Sequence, residues 1–181
     1  NDIGMAEAVS VSGAQATIEA GVDSYINTTV NGYGERAGNA DLVSTILALK
    51  FSHGLREKCP LDEHVNLKMA WKIAKYASYQ FNIPITINQP GVGANIFAHE
   101  SGIHADGVLK DRANYELYSP EEVGRGEPEL LETGRIITTG EYGGIKGFRY
   151  VYSKLGIEFH DDNEARRILE LVQYANLHTQ K

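Results

Sequence analysis

Two short segments concentrate the residues able to do chemistry. Gly32 to Asn39 reads Gly-Tyr-Gly-Glu-Arg-Ala-Gly-Asn, and Ala98 to Lys110 reads Ala-His-Glu-Ser-Gly-Ile-His-Ala-Asp-Gly-Val-Leu-Lys. In the first, glycines permit turns and close backbone approach while Glu35, Arg36 and Asn39 bring charge and an amide to the same turn, which suits an anionic substrate. Arg36 can grip a carboxylate with its planar fork, although an ion pair with Glu35 or another nearby acid would use the same atoms. Asn39 can cap the following helix or offer its amide oxygen to a hard cation, through different atoms. In the second segment, His99 and His104 stand with Glu100 and Asp106 around them. Their five-residue spacing is wrong for two ligands on one helical face, so a complete metal site within this cluster is disfavoured against general acid-base work. Histidine suits that work because its ordinary pKa lies near neutrality; the competing reading is a histidine that satisfies buried backbone groups. Tyr115, eleven residues after His104, has a phenol able to donate to a developing oxyanion, but it is one tyrosine among 10.

These segments must be held by ordered elements, and the chain has the bulk for them. With 181 residues it can hold one full domain, or the remains of a larger domain plus a small one. A net charge of -7 and a pI near 5.4 offer no basic face for nucleic acid. The longest apolar stretches, such as Leu42 to Phe51, are too short to span a bilayer, and nothing resembles a signal peptide, so the expected partners include no membrane and the expected compartment is the cytoplasm. Cys59 is the single cysteine, which rules out an internal disulfide and predicts a packed or surface thiol.

Met5 to Ala20, closed by Gly21, reads as a helix; Asp23 to Val30 reads as a β-strand; Asp41 to Phe51 reads as a helix capped by Asn39 or Asp41. Helix, strand, loop, helix with polar residues at the strand's C-terminal end is the unit of a (β/α)8 barrel, although a doubly wound sheet would place ligands similarly. Too few strands remain to close a barrel, and the chain enters a helical pattern with no strand before it, so a larger protein is expected upstream. Pro60 ends the barrel-like part. A long helix from Leu61 follows, with Val65, Met69, Ile73, Ala77 and Phe81 in a four-residue series expected to face the core. Ile83 to Gly93 reads as an irregular connector, Tyr118 to Glu122 as a helix start, Glu127 to Glu129 as a polar turn, and Gly143 to Gly147 as a flexible elbow. Asp161 and Glu164 form a capping box for a last helix whose buried side carries Ala165, Ile168, Leu169 and Val172.

Taken in order, Asn1-Asp2-x-Gly4-Met5, Asn31 to Asn39 and His99 to Lys110 resemble the isopropylmalate synthase and homocitrate synthase family of Claisen-condensing barrel enzymes. The resemblance runs to about Phe159 and matches the family's later half. It implies an α/β fold: the C-terminal portion of a (β/α)8 TIM barrel over residues 1–58, a helical linker subdomain over 59–112, and a small α+β subdomain over 113–181. It further implies a divalent metal (Zn, Mg or Mn) that binds an α-keto acid, acetyl-CoA as second substrate, and hydrolysis that releases CoA. By the same resemblance the main metal ligands, an Asp and a His-x-His pair, lie upstream of Asn1, and Asn39 matches an additional metal contact. His104 matches the subdomain histidine assigned to acid-base work, Tyr115 its tyrosine partner, and Glu100 a carboxylate that orients the histidine. Arg36 and Glu35 are the candidate substrate-binding residues.

Two departures stand out. The stretch between Asp2 and Gly34 is several residues longer than the common family pattern, and Gly140 to Gly144 reads Gly-Glu-Tyr-Gly-Gly where many members have Gly-Lys-His-Ser-Gly. The resulting expectation is part of an acyl-CoA-dependent synthase of the homocitrate, Re-citrate or isopropylmalate type, an enzyme of amino-acid biosynthesis. It is expected to be inactive alone and to act as a homodimer or as a hetero-oligomer with the upstream barrel half. The alternatives are a non-catalytic complementing module for a separate barrel chain, and an aldolase or lyase relative. The first cluster would shape the metal and keto-acid end of a barrel, and the second would deliver acid-base chemistry from a covering subdomain.

Overall fold

The computed structural model describes residues 1–125, 136–137 and 143–179. Helices dominate: α1 (Ala6–Glu19), α2 (Leu42–Phe51), α3 (Ala70–Phe81), α4 (Gly102–Lys110), α5 (Ile145–Lys154) and α6 (Asp162–Thr179), with two-residue strands β1 (Ala98–His99) and β2 (Ile136–Ile137). The chain divides into two compact units, Asn1–Ile96 with Tyr118–Glu127, and Phe97–Leu117 with Pro128–Lys181. These units do not coincide with segments drawn at residues 58 and 112. The segment carrying both histidines belongs to the second unit, and Tyr118 returns the chain to the first. Among the described residues no helix is long and apolar enough to cross a membrane.

In the first unit α2 is at least half buried at every position from Leu42 to Leu49, so its apolar residues do not form one face; a helix with apolar residues on all sides belongs inside. Asp41 caps it, its Oδ2 accepting from the Ser44 amide at 2.8 Å and the Ser44 hydroxyl at 2.7 Å. Leu49 packs with Val11 of α1 and with Cys59, so the lone cysteine serves as a small apolar core residue.

The strand expected over Asp23 to Val30 does not form. Thr29 makes one isolated parallel bridge to Asp41, and the chain turns at once into a 3-10 segment, Val30–Gly32. A strand exists by pairing, and among the described residues its β-branched run has this single bridge.

The apolar stripe expected in the core is also corrected. Val65, Met69, Ile73 and Phe81 are 39%, 45%, 38% and 67% exposed; of the expected series Ala77 is buried, and with it Leu67, Ala70 and Ala74. Small residues at i, i+4 and i+7 let the chain approach α3 closely, and Asn31 donates to the Ala74 carbonyl at 3.0 Å through that gap. The helix is shorter than the sequence pattern, with Leu67–Met69 a 3-10 turn before it. The helix start expected after Tyr118 is a 3-10 turn of three residues, Glu121–Val123, in which Ser119 and Glu122 still cap each other reciprocally.

In the second unit β1 and β2 pair in parallel, Ala98 with Ile136 and His99 with Ile137. Gly143 and Gly144 act as packing points where an elbow was expected: Gly143 bridges Ser101, and Gly144 caps α5 while meeting Gly102 at the start of α4. The Asp161 capping box holds, with the Glu164 amide donating to Asp161 Oδ1 and Glu164 accepting from the His160 amide, both at 2.8 Å. Ala165 and Leu169 are buried beneath α6 with Ile168 and Val172 half buried, as the sequence pattern requires. The polar turn at Glu127 to Glu129, and Gly140 to Tyr142 of the Gly-Glu-Tyr-Gly-Gly departure, lie outside the described residues.

Candidate active site

The first cluster is a strained turn folded against the chain's first residues. Asp2, Asn31 and Arg36 all have positive φ (68°, 57° and 68°), a conformation that Asp and Asn tolerate and that costs Arg more. What holds Arg36 there is Asp2, whose carboxylate accepts from both its Nε and Nη2, with the Asp2 amide donating to the Ala37 carbonyl at 2.7 Å. The acid beside Arg36 is therefore Asp2 and not Glu35, whose side chain is exposed. Gly38 is required at its own position: its φ is 68°, and a Cβ would lie 3.3 Å from the Asp2 nitrogen.

Asn39 has a fixed orientation. Its amide nitrogen donates to the carbonyls of Glu35 at 3.2 Å and Gly32 at 3.5 Å, which turns its oxygen the other way, where it accepts from Asn1 Nδ2 at 2.7 Å. That leaves Asp41, not Asn39, as the helix cap. Asn39 borders a cleft of about 390 Å³ lined also by Asn1, Ile3, Met5, Val9 and Thr29. An amide oxygen held away from two carbonyls is a hard donor of the kind divalent cations accept. Among the described residues no three His, Cys, Asp or Glu side chains stand together to hold a metal, so Asn39 fits as one contributing oxygen and not as the centre of a site.

In the second unit His104 lies on the first turn of α4, exposed, with its ring centroid 4.5 Å from that of Tyr115. Tyr115 is itself 45% exposed and lines a cleft of about 540 Å³ with Ile103, Asp106, Gly107, Lys110 and Lys146. An imidazole and a phenol side by side and open to solvent can exchange a proton and steady an oxyanion on one bound molecule. Lys110 hydrogen-bonds Asp106 at 2.6 Å and holds that carboxyl below its usual range.

Glu100 does not make the contact expected of it: it is exposed and hydrogen-bonds to neither histidine. The carboxylate that engages a histidine of this cluster is Glu116, whose Oε1 lies 3.3 Å from His99 Nε2, the two side chains only 3% and 11% exposed. His99 is thus the histidine that satisfies a buried partner, and His104 the accessible one. Glu116 was invisible to spacing because the pair joins β1 to the turn after α4, seventeen residues apart.

A family model described as HMGL-like matches residues 1–77, and one described as homocitrate synthase post-HMGL domain-like matches residues 92–179. A citrate (Re)-synthase of Dehalococcoides mccartyi (strain CBDB1) is 58% identical over 99% of this chain and 44% of its own length. A 2-isopropylmalate synthase of Caulobacter sp. (strain K31) is 37% identical over 87% of the chain and 27% of its own length, and that of Pectobacterium atrosepticum 42% over 75% and 24%. The chain thus spans less than half the length of these curated relatives. The HMGL-like match implies a TIM barrel, of which the described residues show helices and a single strand-like bridge, not a closed barrel. With an HMGL-like segment leading into a homocitrate synthase-type post-HMGL segment, the chain belongs to the isopropylmalate synthase and homocitrate synthase family.

Proposed function

We propose that the intact protein condenses acetyl-CoA with an α-keto acid, oxaloacetate foremost, and hydrolyses the thioester to give citrate and CoA. The observation that carries the choice of keto acid is the 58% identity to a citrate (Re)-synthase along nearly the whole chain, against 35–42% for the 2-isopropylmalate synthases. In the reaction the acetyl methyl group loses a proton, the enolate carbon bonds to the ketone carbon, the resulting alkoxide takes up a proton, and water displaces CoA.

His104 and Tyr115 are the residues of this chain for the proton movements. His104 Nδ1 or Nε2 holds or delivers the proton, and the Tyr115 hydroxyl donates a hydrogen bond to the oxygen on which charge develops. A divalent metal, when bound, supplies Lewis-acid polarisation of the keto group. Asn39 Oδ1 is the atom here that would contact it, and its two carbonyl anchors spare it reorientation. Arg36, with two nitrogens committed to Asp2, keeps Nη1 for a substrate carboxylate, and Glu35 stands beside it at the same turn.

The test is thiol release by the intact protein with acetyl-CoA and a panel of oxaloacetate, 2-oxoglutarate, pyruvate and 2-oxoisovalerate. Oxaloacetate should give the highest kcat/KM; a preference for 2-oxoisovalerate would overturn the substrate choice. Replacing His104 by Ala should lower kcat by roughly 10²–10⁴-fold with little change in keto-acid KM, and an unchanged kcat would remove His104 from the chemistry.

A further inference from the structure

Gly107 sits in the middle of α4, where its backbone has an ordinary helical conformation open to any residue type, yet glycine is a poor helix former. The space around it supplies the reason. A Cβ at Gly107 would lie 2.5 Å from Tyr115 Cε2 and 3.1 Å from Cδ2, so the tyrosine ring lies directly on the bare Cα. Gly107 is three residues after His104, on the same face of the helix, and the ring that covers Gly107 is the one 4.5 Å from the His104 ring. The Gly107 carbonyl completes the seat. It accepts from Asn114 Nδ2 at 3.0 Å and from the Asp111 amide at 2.9 Å, which fixes the residue before Tyr115 against the end of the helix. On the other side of Tyr115, Glu116 is held in its buried pair with His99.

We infer that Gly107 is a positioning residue: its missing side chain is the seat that holds the Tyr115 ring beside His104. It touches no substrate and acts only through where the phenol stands. The inference rests on the proposed proton-transfer role of His104 and Tyr115 for its catalytic consequence, but the seating itself is a statement about geometry. A methyl group at 107 cannot coexist with the ring where it lies. Because Tyr115 is half exposed, the ring can swing outward without opening a cavity, so the fold should survive the change.

The test is Gly107→Ala in the intact enzyme, with Tyr115→Phe and the double variant alongside. Displacing the phenol by about 1 Å should lower kcat roughly 10- to 100-fold with keto-acid KM within about twofold. The double variant should be no slower than Tyr115→Phe, since a hydroxyl already removed cannot be misplaced again. The parallel readout is the proton chemical shift of the His104 imidazole by NMR, which carries the ring current of Tyr115 and should move in Gly107→Ala in the same direction as in Tyr115→Ala. If Tyr115→Phe slows turnover while Gly107→Ala does not, or the double variant shows independent losses, the positioning inference fails and the proposed function stands. If neither His104→Ala nor Tyr115→Phe slows turnover, the proposed proton-transfer role fails, and the imidazole shift alone decides the seating. An unmoved shift in Gly107→Ala overturns the inference outright.

Discussion

Replacing Gly102 by Ala pits helix propensity against packing. Gly102 opens α4, where Ala would ordinarily be the better residue by about 0.5–1 kcal/mol. A Cβ there, however, would lie 2.6 Å from Gly144 Cα, 3.2 Å from its nitrogen and 3.5 Å from its carbonyl carbon. Carbon atoms make favourable contact at about 3.5–4.0 Å, so the two chain segments must part by roughly 1 Å, and both sides are backbone with no side chain to swing aside. Overpacking of this kind costs about 1–3 kcal/mol, and the middle of that range set against the propensity gain leaves a net loss of about 1–1.5 kcal/mol. For a unit of this size 1 kcal/mol corresponds to about 4–8 °C, which places the expected shift in melting temperature at roughly 4–12 °C. Urea and thermal unfolding followed by far-UV circular dichroism would measure it, with fluorescence of Trp71, the single tryptophan and part of the first unit, as the internal reference. Gly144→Ala is the reciprocal change, with its Cβ 2.4 Å from Gly102 Cα, and should cost at least as much. A melting temperature that stays put or rises in either variant would refute the close crossing of α4 and α5, and with it the seat of the turn that carries His104.

Two other expectations concern the first unit. Asp41→Ala removes the α2 cap and its two hydrogen bonds to Ser44, and should destabilise by about 1–2 kcal/mol in urea titration, with Asp41→Ser recovering most of the loss; equal loss in both would show that capping is not its role. Burial holds the Tyr118 hydroxyl above its ordinary pKa of 10.0, outweighing the Gly91 amide that donates to its oxygen and the nearby charge of Arg125. The folded state therefore binds that proton more tightly than the unfolded chain. Its contribution to stability is complete below about pH 10 and is lost as pH rises towards the folded-state value. The urea midpoint read by Trp71 should fall between pH 9 and 11 more steeply than in Tyr118→Phe, and parallel profiles would contradict the assignment.

The features legible in the sequence are those written in neighbouring residues. The bounds of α1 and α2, the Asp161 capping box and the buried side of α6 depend on residues three or four apart on one helix, and the structure keeps each of them. The strand at Asp23 to Val30 failed because strand formation depends on a partner, and local β-propensity does not supply one. The apolar stripe on α3 failed for a related reason. Periodicity identified an amphipathic helix, but Ala70 and Ala74, each one position after a larger stripe residue, gave a closer contact together with Ala77, and the larger residues were left outside.

The site divides along the same line. Sequence alone supplied the motifs at Gly32 to Asn39 and His99 to Lys110, through them the family, and His104 with Tyr115 eleven residues on as candidates for acid-base work. The tertiary structure decided who partners whom. It gave Arg36 to Asp2, His99 to Glu116 and the Tyr115 ring to the bare face of Gly107, and it left Glu100 in solvent. Hydrogen bonds and ring contacts act over a few ångströms between atoms that folding brings together, and their partners lie 8, 17 and 34 residues apart along the chain, beyond the reach of any local spacing rule.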